Sequence, residues 1–252
     1  MIEIDKIYNG NYLDIIKNID NDSIDMILTD PPYNITQAGW DKEIDLDEMW
    51  GEFKRVIKDK GAILIFSMIP FSIKLGMSNF EMLRYEWIWE KTQATGFYNA
   101  RKMPMKAHEN ILVFYKNLPV YNPQKTEGHK PINSYHKKAE VQNKTTVYGK
   151  TKRDIIGGGE TDRFPRDVIV FSSDKQKTKL DGTIHPTQKP IALCEYLIST
   201  YTNESDLVLD CFCGSGSICV ASKKLKRRFI GIDIIDDFCK ISERRLKEVS
   251  NE

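Results

Sequence analysis

Leu207-Val208-Leu209-Asp210-Cys211-Phe212-Cys213-Gly214-Ser215-Gly216-Ser217 runs from an apolar stretch through two closely spaced glycines into a helical pattern. The stretch predicts a strand over 206–210, and the residues past the glycines predict a helix over 217–226. A second apolar run, 228–233, ends on Asp233 and leads into a helical pattern over 236–249. Strand, helix and strand at this spacing make a right-handed unit of parallel sheet. The expected fold class is therefore α/β, with a doubly wound, mostly parallel sheet.

Glycines at a strand-to-helix turn let the backbone approach a ligand and leave helix N-terminal amides to donate. Asp233 follows Gly214 by 19 residues, where this architecture places a ribose-binding carboxylate. A nucleoside-type cofactor is the inference. The dinucleotide fingerprint asks for a third Gly or Ala, and Cys219 at that position counts against NAD.

Working back toward the N-terminus, a helix is expected over 190–201, preceded by His185-Pro186-Thr187-Gln188-Lys189-Pro190. Between 101 and 153 lie twelve Lys or Arg and three acids, a balance of +9 that leaves −8 on the rest of a chain whose total is +1. Tyr115, Tyr121, Tyr135 and Tyr148 fall in the same stretch. Basic residues mixed with aromatics and amides suit a surface that neutralises phosphates and touches bases. Upstream, strands are expected over 85–89 and 111–115 and, beyond the basic stretch, over 167–171. A helix over 45–58 is followed by Gly61 as a break and a strand over 62–66.

The apolar run 24–28 stops at Thr29-Asp30-Pro31-Pro32, because two prolines cannot continue a strand or helix. Asp30, Pro31, Pro32 and Tyr33 thus place a carboxylate, fixed carbonyls and an aromatic face at the carboxyl end of a strand. Such a group suits an exocyclic amine on a planar base, whose lone pair is delocalised into the ring. Acceptors on its protons favour a geometry that frees the lone pair, and Tyr33 offers a stacking face.

The composition, 40% hydrophobic and 29% charged over 252 residues, is that of a globular enzyme-sized chain. No apolar run reaches the roughly 18 residues of a membrane span, and the start MIEIDKIYNG is not a signal peptide. No membrane association and a cytoplasmic, intracellular setting of prokaryotic or phage type are expected. The five cysteines read as small packing residues, with no metal site expected.

Together these motifs resemble the β-class S-adenosylmethionine-dependent DNA amino-methyltransferases. Asp30-Pro31-Pro32-Tyr33 matches their catalytic tetrapeptide, Phe212-Cys213-Gly214-Ser215-Gly216 their F-x-G-x-G loop, and the His185 segment a stretch leading into the cofactor half. The resemblance covers nearly the whole chain, thinning across 117–165. It implies a catalytic half at 1–116, an inserted basic target-recognition region at 117–165 and a cofactor-binding half at 166–252.

It further implies methyl transfer from S-adenosyl-L-methionine to adenine N6 in a specific double-stranded DNA sequence, with the target base flipped out. Asp30, Pro31, Pro32 and Tyr33 would be catalytic. Asn11, Asp30, His185, Pro186, Thr187, Asp210, Phe212, Gly214, Ser215, Gly216 and Asp233 would surround the cofactor. Where the family usually carries a Gly-Asp pair near the N-terminus, this chain has Gly10-Asn11. Loop 34–43, with Gly39 and Trp40, is placed to close over the base. The resemblance allows a homodimer and carries a restriction-modification setting. The alternatives are cytosine N4 as the target or, from another class, an NAD-dependent dehydrogenase using the glycine turn.

Overall fold

The computed structural model describes residues 2–34, 43–137, 154–172 and 188–249. They divide into a larger unit, Met1–Asn122 with Asp167–Glu252, and a smaller one, Pro123–Arg166. In chain order the larger unit begins β1 (Lys6–Asn9), α1 (Tyr12–Ile16), β2 (Ile24–Thr29), α2 (Leu46–Val56) and β3 (Ile57–Ser67). Next come α3 (Phe71–Ser78), β4 (Leu83–Thr95) and β5 (Lys106–Phe114). The smaller unit holds β6 (Tyr135–Lys137) and β7 (Ile155–Gly157). The larger unit resumes with β8 (Val168–Phe171), α4 (Ile191–Tyr201), β9 (Leu207–Asp210), α5 (Ser217–Lys224), β10 (Arg228–Asp233) and α6 (Asp236–Glu248).

Eight strands of the larger unit form one sheet in the order β1-β10-β9-β2-β3-β5-β4-β8. Of these, β5 alone runs antiparallel to its neighbours, β3 and β4; the other pairings are parallel. The chain steps outward from β2 to β3 on one side and from β9 to β10 on the other. The winding therefore reverses between β2 and β9, where open α/β sheets form their ligand crevice.

Alternation along the central strands fills both faces. Ile27, Ile63, Ile65, Leu209 and Ile230 pack with α1, α2 and α3, whereas Met26, Leu28, Leu64 and Val208 pack with α4 and α5. The helix α2 begins at Asp45, whose carboxylate accepts the amides of Asp47 and Glu48. It buries Leu46, Met49, Trp50, Phe53 and Val56, spaced to share one face.

Gly61 is not the break that the sequence suggested: β3 starts directly at Ile57, and Gly61 lies within it. The register with β2 slips between Ile24↔Ile57 and Met26↔Ala62, so the extra residues bulge outward as exposed Lys58, Asp59 and Lys60. A Cβ at Gly61 would lie 2.6 Å from the Ile57 side chain and 3.0 Å from the Asp25 carbonyl, which explains the glycine there. The strands β4 and β5 also run well past the expected 85–89 and 111–115, because antiparallel pairing carries their polar ends. β1, α1 and α3 had no distinct sequence signal.

In the smaller unit, β6 and β7 pair antiparallel, and Thr126 bridges Arg163. Lys125 pairs with Asp162 at 2.7 Å and lies over the Phe164 ring. The unit begins at Pro123, so residues 117–122 fall in the larger unit. Among the described residues, no helix is long and apolar enough to cross a membrane.

Behind the sheet, the Trp87 indole N–H donates to the Tyr201 hydroxyl at 2.7 Å. Tyr201→Phe removes that acceptor from a buried donor and should lower unfolding free energy by about 1–3 kcal/mol in a urea titration, at unchanged m-value.

Candidate active site

Parallel register brings the ends of β2, β9 and β10 to one edge of the sheet, and with them Asp30, Asp210 and Asp233. Across the reversal point, the Thr29 hydroxyl donates to Asp210 Oδ1 at 2.8 Å, and the Phe212 N–H donates to the same oxygen at 3.2 Å. Burial pushes the Asp210 carboxyl up to about 7, and these two donors only partly oppose it.

The Asp233 carboxylate accepts the Gly214 N–H at 2.7 Å through Oδ2 and the Ile235 N–H at 2.8 Å through Oδ1. Burial raises its pKa, and the two amides work against the rise. Gly216 sits at φ 76, and a Cβ there would lie 2.7 Å from Ser242. Side chains of α6 tie the turn down. Ser242 Oγ donates to the Gly214 carbonyl at 2.8 Å, and Arg245 donates to the Ser215 carbonyl and hydroxyl at 2.5 and 3.0 Å.

From the other side of β10, the Gly10 N–H donates to the Asp233 carbonyl at 2.9 Å, so Asn11 follows immediately. Asn11 is exposed and caps α1, its Oδ1 accepting the Leu13 N–H at 3.0 Å. The next residue, Tyr12, lays its ring 4.7 Å from that of Phe212. Its hydroxyl is buried with no hydrogen-bond partner among the described residues.

The tetrapeptide forms the second half of the edge. Tyr33 stacks on Phe71 with centroids 5.2 Å apart and donates its hydroxyl to Asp30 Oδ1 at 2.5 Å. The other Asp30 oxygen pairs with Lys189 Nζ. Lys189 is 8% exposed, lies 5.0 Å from the Phe66 centroid and reaches Glu109 Oε2 at 3.4 Å. Glu109 Oε1 in turn pairs with Lys91 at 2.5 Å.

Two acids and two lysines thus alternate from β2 to β4. Burial penalises the Lys189 ammonium, yet Asp30 and Glu109 outweigh it and hold its pKa above the ordinary lysine value. For Glu109, burial is overcome by the two lysines and the pKa is lowered. For Asp30, burial prevails over Lys189 and the pKa is raised.

Asp30, Pro31, Pro32, Tyr33, Asn11, Asp210, Phe212, Gly214, Ser215, Gly216 and Asp233 are therefore brought to this one edge. His185, Pro186 and Thr187 lie outside the described residues, as do residues 35–42 of the expected closing loop. Cys211, Cys213 and Cys219 are buried, and burial pushes their thiols well up.

Residues 24–244 match the DNA methylase family, whose name spans N6 and N4 methylation. The chain belongs to the DNA methylase family. Type II methyltransferase M1.MboII of Moraxella bovis is 30% identical over 93% of this chain and 93% of its own. The DNA adenine methyltransferase YhdJ of Escherichia coli strain K12 is 30% identical over 99% of this chain and 85% of its own. A crystal structure of an M1.HpyAVI–SAM complex matches with a TM-score of 0.64 at 25% identity, covering 96% of this chain and 98% of that one.

In this methylase, sequence reasoning did not single out Lys189, Glu109 or Lys91. Lys189 stood inside the quoted His185 segment, and Glu109 was one of three acids in a strongly basic stretch. Neither position says which charges meet until β5 is paired. Glu109→Gln would leave Lys91 without its buried partner. The variant should lose about 3–5 kcal/mol of unfolding free energy, read by urea denaturation.

Proposed function

We propose that this methylase transfers the methyl group of S-adenosyl-L-methionine to the N6 amino group of adenine in double-stranded DNA. The observation that carries the reading is the Asp30 carboxylate, half-buried beside Pro31 at the end of β2 and next to the Asp210 and Asp233 edge. Adenine rather than cytosine N4 is supported by Asp at the head of the tetrapeptide and by the similarity to a protein named as a DNA adenine methyltransferase.

The residues fit the cofactor. Asp233 would accept the ribose hydroxyls, Gly214 and Gly216 would admit the backbone of the turn close to it, and Asn11 would meet its adenine. The buried Tyr12 hydroxyl beside Phe212 lacks a partner among the described residues, and a polar ligand there would satisfy it. Bound in this place, S-adenosylmethionine supplies a methyl group already activated on a sulfonium.

The protein's own task is to free the amine. With the base flipped out, the Asp30 carboxylate and the Pro31 carbonyl accept its two N–H bonds, and Tyr33 stacks through the face opposite Phe71. The attacking nitrogen gains positive charge as its bond to the methyl carbon forms, and Asp30 stabilises that charge. The nitrogen then gives up a proton, and the raised pKa of Asp30 suits it to receive one. Lys189, backed by Glu109, opposes that rise and favours the ionised carboxylate beforehand. The unit Pro123–Arg166 and its basic neighbours would carry target recognition, with the DNA bound as the restriction-modification relatives imply.

Asp30→Ala should abolish transfer of tritiated methyl to DNA while calorimetric binding of S-adenosylmethionine persists. Full activity in that variant would sink the reading. Mapping methylated bases by sequencing separates adenine N6 from cytosine N4.

Asp210 gives a pH signature. Its pKa is raised to about 7, so its contribution to stability is greatest at low pH and is lost as pH rises toward about 7. A cationic, hydroxyl-bearing ligand favours the ionised form. Cofactor affinity by calorimetry should therefore rise by up to about tenfold between about pH 6 and pH 8, and Asp210→Asn should flatten that rise.

A further inference from the structure

Beyond the site, β4 and β5 continue as a hairpin past the carboxyl end of β3, with β4 flanked by β8 as far as Lys91. Ser67, the last residue of β3, pairs with Asn110, which faces Ile88 across the hairpin. The stem runs on to Thr95 opposite Lys106. At about 3.3 Å per residue, β5 alone extends roughly 13 Å past that level. Its first residue beyond Asn110 is Glu109, the partner of Lys189, so the projection rises directly from the site.

The tip is Gly96-Phe97-Tyr98-Asn99-Ala100-Arg101-Lys102-Met103-Pro104-Met105-Lys106. It carries three cations and no acid. Phe97 is 77% exposed, Tyr98 100% and Met103 52%. It is nonetheless an ordered turn. Gly96 sits at φ 90, and the amides of Asn99, Ala100 and Met103 donate to the carbonyls of Gly96, Phe97 and Asn99 at 2.9, 3.0 and 3.0 Å. Folding gains nothing from fixing three large apolar side chains in water, and such exposure marks a surface built for a partner. The charge complements an anion, and the flat aromatics suit stacked bases.

We propose that this hairpin tip is the DNA-insertion element of the methylase. Tyr98 enters the base stack and fills the space left by the flipped base, while Arg101, Lys102 and Lys106 neutralise the flanking phosphates. The proposal rests on the DNA methyltransferase reading above and adds the element that holds the duplex open.

The test uses the full-length protein and a duplex carrying the site that the wild-type enzyme methylates, once mapped on plasmid DNA. A second duplex has an abasic position opposite the target base, which lowers the cost of flipping. Tyr98 is fully exposed, so Tyr98→Ala should keep the wild-type melting temperature. It should slow methyl transfer by about tenfold or more on the paired duplex and recover to near the wild-type rate on the abasic one. Replacing Arg101, Lys102 and Lys106 together with Gln should reduce the slope of log affinity against log salt by roughly three.

Equal rates for wild type and Tyr98→Ala on the paired duplex, or an equal loss on both duplexes, would overturn the insertion role. An unchanged salt slope would overturn the phosphate role. Absence of methyl transfer by the wild-type protein itself would instead overturn the underlying DNA reading, and this proposal with it.

Discussion

A lysine held between two acids ties the two halves of this protein together. Lys189 enters from the start of α4, in the later part of the sequence, and meets Asp30 after β2 and Glu109 on β5, both from the earlier part. Burying one ammonium and two carboxylates is tolerable only because each faces an opposite charge. Removing any member leaves a charge with nowhere to go. The geometry of the tetrapeptide therefore depends on strands and helices that contribute nothing to the reacting atoms.

The same principle governs the cofactor side in a milder form. Asp210 and Asp233 are held by hydroxyl and amide donors rather than by a cation, and burial leaves their pKa values raised, as it does that of Asp30. That edge carries acids that gain from a positively charged ligand. The tetrapeptide edge already holds its own cation. The carboxylates at the ends of these adjacent strands thus differ in whether they already hold a cation.

Much of this was legible in the order of residues. The unit 206–249 reads plainly because strand, glycine turn and helix are each short, apolar and punctuated. Asp30 reads as a strand end because Pro31 and Pro32 permit nothing else. Other features were hidden for physical reasons. Gly61 is a bulge rather than a break, because a glycine relieves crowding inside a strand as well as ending one. β1 has four residues, only one of them buried, and is a strand because β10 pairs with it. Lys189, Glu109 and Lys91 look like ordinary surface charges in sequence, since only the antiparallel placement of β5 brings them inside. The length of the hairpin was hidden too, as its polar stem follows no apolar alternation.

The bond between Thr29 and Asp210 joins residues 181 positions apart. It also marks where β2 is flanked by β9, a strand made long after it. Until β9 emerges from the ribosome, the central strand β2 lacks its neighbour on that side and exposes an unpaired edge. A fold with so much of its pairing non-local pays heavy loop-closure entropy before its contacts form, which predisposes it to slow folding. The nascent chain must therefore keep its middle strand soluble until β9 is made, and the methylase edge assembles only after that.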